Sequence, residues 1–317
     1  MKMKPLTAFC ALNMGQSPSS ETYNEKNVGL PFFQGNADFG EVHPKVRIWC
    51  SSPVKVAASG DILISVRAPI GAMNIANAPC CIGRGLAALS PNPDTCVQEY
   101  LYYALQSRID SLIAQGTGST FKAIGKKTLE DTQIPAYSLD EQQIISDTLS
   151  ETDQLISKAK AQVSLLDQLV KSRFVEMFGL PGTDVHGWGM ASLGEICEIN
   201  PKKSQDARLT NGLLVSFVPM PSVSESGDID ATQVKPYDEV KTGFTYFAEN
   251  DVLFAKITPC MENGKGAIAT GLHNGIGFGS TEFHVLRPAK GTATPCWIYT
   301  LTVFPQFRID AASNMTG

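Results

Sequence analysis

One run of residue types occurs twice in this chain, and a long heptad segment lies between the copies. Leu6, Cys10 and Asn13 return as Leu193, Cys197 and Asn200, each 187 residues later. Asp61, Leu63 and Pro69 return as Asp251, Leu253 and Pro259, each 190 residues later, so the intervening loops differ slightly in length. Periods of about 20–50 residues make solenoids. A period this long makes two related globular units instead. Two similar units with a rigid spacer suit the reading of two marks at a set separation better than the housing of one buried active site.

The match continues through most of each copy. Gly83, Arg84 and Gly85, followed by Leu86, Leu89 and Pro91, correspond to Ser280, Thr281 and Glu282, followed by Phe283, Leu286 and Pro288. Tyr100 to Leu105 resembles Trp297 to Leu301, and Arg108 to Asp110 resembles Arg308 to Asp310. Gly116, Thr117 and Gly118 correspond to Met315, Thr316 and Gly317. Beyond that point the first copy runs on through Ser119, Phe121 and Lys122, so the second copy is expected to be C-terminally incomplete.

Both copies read as short strands and turns. Val54–Val56 and Asp61–Val66 are strand-like, with Ser59 and Gly60 as a turn, and Asp251–Ala255 copies the second of these strands. Pro69 and Pro259 are expected to close the strands, because proline has no amide hydrogen to donate. Helical spacing of apolar residues predicts short helices over 96–108 and 295–304. The fold class expected is α+β: two similar domains with curved, mostly antiparallel sheets, joined by a long coiled-coil helix.

That helix is the clearest element. Ser138 followed by Glu141 is a capping-box pattern. The heptad series then runs Ile145, Leu149, Thr152, Ile156, Ala159, Val163, Leu166, Val170, Arg173 and Met177. Gly179, Pro181 and Gly182 supply the stop. About forty residues at a rise of about 1.5 Å give about 60 Å. Leu155, Leu165 and Leu169 broaden the apolar stripe, and a broad stripe calls for a partner helix. The domains expected are therefore residues 1–135, a spacer over 136–180, and residues 181–317.

The composition is that of an ordinary globular chain: 43% hydrophobic and 8% aromatic residues. No apolar run is long enough for a membrane span, and Met1–Pro5 does not open like a signal peptide. A cytoplasmic protein with reduced, buried cysteines is expected. None of the eight cysteines has metal-ligand spacing, so no metal is expected. The net charge of −5 weighs against a large uniform nucleic-acid surface but leaves room for local basic patches.

Several segments taken in order resemble the specificity subunit of type I restriction-modification systems. They are Met14–Pro18 with Ser20–Asn24, Leu30–Gly35, Gly60–Leu63 with Arg67–Pro69, and Gly116–Lys122. Ile134 and Pro135 followed by Leu139–Ile145 is the most telling. The resemblance implies two target-recognition domains, each reading one half of a split DNA target. It further implies helices that set the gap and dock the methyltransferase subunits, with motor-nuclease subunits joining to form the restriction enzyme. The chain itself would be non-catalytic and hold no cofactor; S-adenosylmethionine and ATP would be bound by the partners.

For such a function the side chains that matter are those able to read base edges. Arg or Lys suits guanine, and Asn or Gln suits adenine. Gln34, Asn36, Arg67 and Arg84 are the candidates in the first copy. Lys256, Asn263, Lys265 and Thr281 are the candidates in the second. Thr117, Ser119 and Lys122 fit phosphate contact, with glycines that let backbone amides approach. Arg84 aligns with Thr281, and Arg67 misses Lys256 by one place. Leu149, Ile156, Val163, Leu166 and Val170 are the expected subunit-docking residues. Half-sites on one face of a duplex lie about 34–36 Å apart, within reach of a helix of that length.

Catalytic alternatives find little support. The four histidines, His43, His186, His273 and His284, share no position between copies. Cys10 and Cys197 are equivalent but sit among apolar neighbours, the setting of packed rather than nucleophilic thiols. Gly83–Gly85 and Gly275–Gly279 lack the setting of a phosphate loop. The alternative kept open is a truncated protein-interaction scaffold without DNA specificity of its own.

Overall fold

The computed structural model describes residues 2–118 and 122–313, and these divide into two compact units, residues 1–160 and 161–317. In the first unit the strands are β1 (Met3–Pro5), β2 (Cys10–Met14), β3 (Tyr23–Asn24), β4 (Leu30–Phe33) and β5 (Ile48–Cys50). They continue as β6 (Val56–Ala57), β7 (Ile62–Ser65), β8 (Met73–Ile75), β9 (Cys80–Ile82) and β10 (Leu86–Pro91). Helices α1 (Gln98–Gln106), α2 (Ile109–Ala114) and α3 (Lys126–Glu130) follow, then β11 (Gln133–Pro135) and α4 (Leu139–Phe178), whose residues are shared between the two units.

The second unit holds α5 (Leu193–Ile196), β12 (Cys197–Ile199), β13 (Leu214–Val218), β14 (Val234–Pro236) and α6 (Tyr237–Val240). After them come β15 (Thr245–Ala248), β16 (Val252–Ala255), β17 (Gly266–Ile268), β18 (Ile276–Gly279) and β19 (Phe283–Pro288). Helices α7 (Pro295–Thr302) and α8 (Pro305–Ser313) complete the described residues.

The repeat is carried into the hydrogen-bond register. Sheet β2-β10-β7-β8 in the first unit has its counterpart in β12-β19-β16-β17. Leu89 pairs with Leu12 and with Ile62, and Leu286 pairs with Ile199 and with Val252. Each unit has a second sheet, β3-β5-β4-β9-β6 and β14-β13-β18-β15, with one parallel pair at its centre, β4 with β9 and β13 with β18. The sheets are otherwise antiparallel.

Strands β7 and β16 are buried along their whole length, because each lies between two neighbours with a core beneath it. Asp61 and Asp251 open these strands in the same way. Each accepts the amide of the residue three before it, Ala58 at 2.8 Å and Ala248 at 2.7 Å, closing the turn. The strands stop at Ser65 and Ala255, four residues ahead of Pro69 and Pro259, so the prolines lie in the following loops rather than at the strand ends.

Helix α4 begins and ends where its caps place it. The Ser138 amide donates to Glu141 Oε2 at 2.8 Å, and the Glu141 amide donates to Ser138 Oγ at 3.3 Å. Gly179 follows the last turn with φ +82°, a left-handed conformation that costs glycine nothing. At the N-terminal end the buried Gln142 side chain takes the Val97 amide and donates to the carbonyls of Thr95 and Tyr137, which fixes the helix to the start of α1. At the C-terminal end Phe174 packs on Trp297 and Phe304, with ring centroids 5.8 and 5.3 Å apart.

Candidate nucleic-acid interface

In the first unit, residues far apart in sequence meet at the ends of the central strands. Gln34 follows β4, Arg84 sits in the turn between β9 and β10, and Arg67 follows β7. Together with Ser17, Ser20 and Tyr23 they line an open groove of 450 Å³. The Arg84 turn is held in place by its backbone: its amide donates to Ser17 Oγ at 3.2 Å, and the Gly83 amide donates to the Phe33 carbonyl at 2.8 Å.

The glycines around Arg84 have a steric reason. A Cβ on Gly85 would lie 2.3 Å from the Gln34 carbonyl oxygen, so only glycine lets the two loops touch. Asp38 steadies the other side. Its carboxylate accepts the Gln34 amide at 2.7 Å and is ion-paired with Arg47. The Arg67 and Arg84 side chains are exposed and carry no ion pair or hydrogen bond among the described residues. Two uncommitted guanidiniums beside a glutamine amide present the donors and acceptors that guanine and adenine edges require.

Thr117 and Lys122 lie at the same end of the unit. Ala123 bridges both Arg67 and Thr117, and the Ala68 amide donates to the Lys122 carbonyl at 3.0 Å. Thr117 and Lys122 are exposed, while Ser119 lies outside the described residues. Asn36 occupies a short 3-10 turn over Asn36–Asp38, beside a smaller 230 Å³ recess with Gln34 and Arg47. Ser17, Tyr23 and Arg47 belong to this surface and were not singled out from the sequence. Ser17 and Tyr23 fall within Met14–Pro18 and Ser20–Asn24, so family likeness was the available signal; nothing in the sequence pointed to Arg47.

The second unit builds the corresponding edge from other chemistry. The Val66 amide bonds the Gly85 carbonyl and the Lys256 amide bonds the Glu282 carbonyl, each at 2.9 Å. Lys256 therefore stands where Val66 stands, and Ile257 takes the place of Arg67. Thr281 does match Arg84, since Leu86 pairs with Ser65 as Phe283 pairs with Ala255. Lys256, Asn263, Lys265 and Thr281 lie on adjoining loops. The Asn263 amide donates to Glu225 Oε1 at 2.9 Å, and the Thr281 hydroxyl faces Glu282 at 3.4 Å. Lys256 and Lys265 are half-buried.

The groups that could have suggested catalysis are structural. Burial, reinforced by Cys96 and Asp61, pushes the Cys10 thiol up to about 12, and burial also raises Cys197. Neither is a thiolate near neutral pH. His284 is held below its ordinary value by burial and by Lys256. Asn200 Oδ1 accepts the Val285 amide at 3.0 Å, which leaves Nδ2 to donate to the His284 Nδ1 at 3.2 Å. No cluster of metal-ligating side chains occurs among the described residues.

The expected docking residues all lie along α4 and are exposed. Every residue from 151 to 173 is exposed, Ile156, Val163, Leu166 and Val170 among them, and so is Leu149 just ahead of that stretch. No helix among the described residues is long and apolar enough to cross a membrane.

Comparison with known proteins adds the following. The type I restriction modification DNA specificity domain matches residues 1–165. A Methanocaldococcus jannaschii protein named as a type I restriction enzyme MjaX specificity subunit is 43% identical over 153 residues, which cover 47% of this chain and 36% of that protein. A solved structure described under complex assembly and conformational transition of the type I R-M system is 46% identical, with a TM-score of 0.50 over 54% of this chain and 43% of that one. The S subunit of a type I restriction-modification system from M. genitalium shares the fold over 99% of this chain and 79% of its own, with a TM-score of 0.54 at 15% identity. The chain spans about a third of the length of the curated relative it matches.

Proposed function

We propose, for a chain that belongs to the type I restriction-modification DNA specificity family, that it reads a split duplex target without catalysing any reaction. The observation that carries this reading is the meeting of Gln34, Arg67 and Arg84 in one groove, with both guanidiniums uncommitted among the described residues. In the groove Arg84 and Arg67 pair with guanine edges and Gln34 with adenine. Thr117 and Lys122, on the neighbouring loop, hold phosphate and fix the register. Lys256, Lys265 and Thr281 serve the second half-site.

The exposed apolar stripe of α4 docks the methyltransferase subunits, and motor-nuclease subunits join that assembly in the cytoplasm. S-adenosylmethionine and ATP are bound by those partners. The domain limits that suit this division of labour are residues 1–135 and 181–317 as readers, with 136–180 as spacer.

Two measurements test the reading. In a gel shift with the methyltransferase partner, Lys122→Ala weakens binding about equally on all duplexes and lowers the salt slope by about 1. Loss confined to one sequence would remove Lys122 from the phosphate contacts. The double variant Ile156→Glu with Val163→Glu abolishes co-purification with the methyltransferase while both units stay folded. Salt-insensitive, sequence-blind binding by the unaltered chain would leave a protein scaffold in place of a reader.

A further inference from the structure

The turn after β18 carries a carboxylate at a place where the first unit is bare. Phe33 pairs with Ile82 as Val218 pairs with Gly279, so Pro219 stands where Gln34 stands and Glu282 where Gly85 stands. In the first unit a Cβ on Gly85 would meet the Gln34 carbonyl oxygen at 2.3 Å. The second unit makes its approach differently. Gln34 and Gly35 separate β4 from the 3-10 turn that follows it, whereas Pro219 alone separates β13 from a 3-10 turn over Met220–Ser222. That loop leaves the sheet one residue sooner, and Glu282 has the room that Gly85 lacks.

The Glu282 backbone is held on both sides. Its amide donates to Ser280 Oγ at 3.2 Å, and its carbonyl accepts the Lys256 amide at 2.9 Å. The side chain is half-buried and makes no ion pair among the described residues, and it takes only the Thr281 hydroxyl at 3.4 Å. In the same unit Asp206, Asp238 and Asp251 are each committed to an arginine or a lysine. The neighbouring positions have lost their cations: Thr281 replaces Arg84, and the exposed Ile257 replaces Arg67. What this edge offers a ligand at the turn is an uncommitted acceptor.

We propose that Glu282 reads a cytosine in the second half-site by accepting a hydrogen of its N4 amino group in the major groove. The inference rests on the DNA reading proposed above and names the base at one of its positions. An ionised carboxylate only accepts. Guanine turns O6 and N7 toward it and thymine turns O4, all acceptors, and adenine sets N7 beside its amino group. Cytosine alone presents a donor with no acceptor next to it. The first unit has the reverse chemistry at the same turn, because the Arg84 guanidinium only donates and suits guanine. Lys256 and Lys265, on adjoining loops, offset the repulsion between the carboxylate and the phosphates.

The probe is a duplex pool randomised in both halves, from which the full chain with its methyltransferase partner selects a target; single-position variants of that target then compete for binding. At one position of the second half-site cytosine is expected to be favoured at least about five-fold over the other bases. Glu282→Gln moves the preference there toward adenine, because an amide both donates and accepts. Glu282→Ala removes the preference and puts nothing in its place. Both variants keep the selectivity of every other position in both halves, which a misfolded second unit would not. A profile that neither variant changes, or a base other than cytosine favoured at the position they do change, overturns the proposal and leaves the DNA reading standing. An unaltered chain with no selectivity in either half overturns the reading, and this inference with it.

Discussion

At the turn that follows β9 the first unit has Gly83, Arg84 and Gly85; at the matching turn after β18 the second has Ser280, Thr281 and Glu282. The flanking glycines bring the Arg84 backbone against Gln34, within a distance that a Cβ would block. The second unit carries side chains at both flanking places, and one is acidic. Similarly, Arg67 gives way to Ile257. The strand frame is the same and the loop chemistry is not. On the proposed reading, a duplicated scaffold can thus present two different half-site surfaces by changing these four loop positions while the sheet register stays fixed.

The two units also differ beneath the edge, and this difference yields the largest effect expected. Asp251 is buried and takes a two-pronged contact from Arg287, at 2.8 and 2.7 Å, while Ser90 stands at the corresponding place opposite Asp61. Removing the cation leaves a buried carboxylate uncompensated. Arg287→Met is expected to cost the second unit about 2–3 kcal/mol, somewhat under a fully buried pair because Arg287 keeps some water contact. Hydrogen exchange measures this as lost protection in β16 and β19 with β7 and β10 unchanged. Equal loss in both units would break the comparison.

Next in size is Arg84→Ala, expected to lose about 1–3 kcal/mol of discrimination at one base pair of one half-site. Thr281→Ala is expected to change selectivity far less. Competition binding against duplexes randomised in each half separately reads both. A larger effect from Thr281 would place the second unit's reading at the position of Arg84 after all.

The smallest effect concerns pH. His284 sits where the first unit has the buried Ala87, and burial with Lys256 keeps its folded value below the ordinary 6.5. Above that value both folded and unfolded chains hold a neutral ring, and its contribution is complete. As pH falls through it, the unfolded chain takes the proton first, so stability of the second unit declines until the folded value is passed. Denaturant titrations between about pH 7 and 5 should show the decline, and His284→Gln should flatten it. An unchanged slope in that variant would assign the decline to other groups.

Much of this organisation is legible in the residues because it is local. The cap formed by Ser138 and Glu141, the stop at Gly179, the helices α1 and α7, and the strands opened by Asp61 and Asp251 all depend on neighbours within a few positions. The buried cysteines of β2 and β12 follow from their apolar surroundings. The groove proposed to read base edges is less legible. Gln34, Arg67 and Arg84 stand out for side-chain chemistry, yet it is the parallel pairing of β4 with β9 that brings Gln34 to Arg84, while Ser17 joins through the Arg84 amide and Tyr23 through the pairing of β3 with β5 and β5 with β4. The offset of 190 residues already sets Ile257, not Lys256, against Arg67, and the backbone hydrogen bonds of Val66 and Lys256 agree with it.

The sequence by itself determined the duplication, the α+β class and the long capped helix, because periodicity and short-range hydrogen bonding are written in consecutive residues. Only the tertiary structure decided which side chains share a groove and which arginines are committed to a carboxylate. Those outcomes depend on pairings between segments tens of residues apart, and in a sheet a shift of one place moves a side chain to the other face.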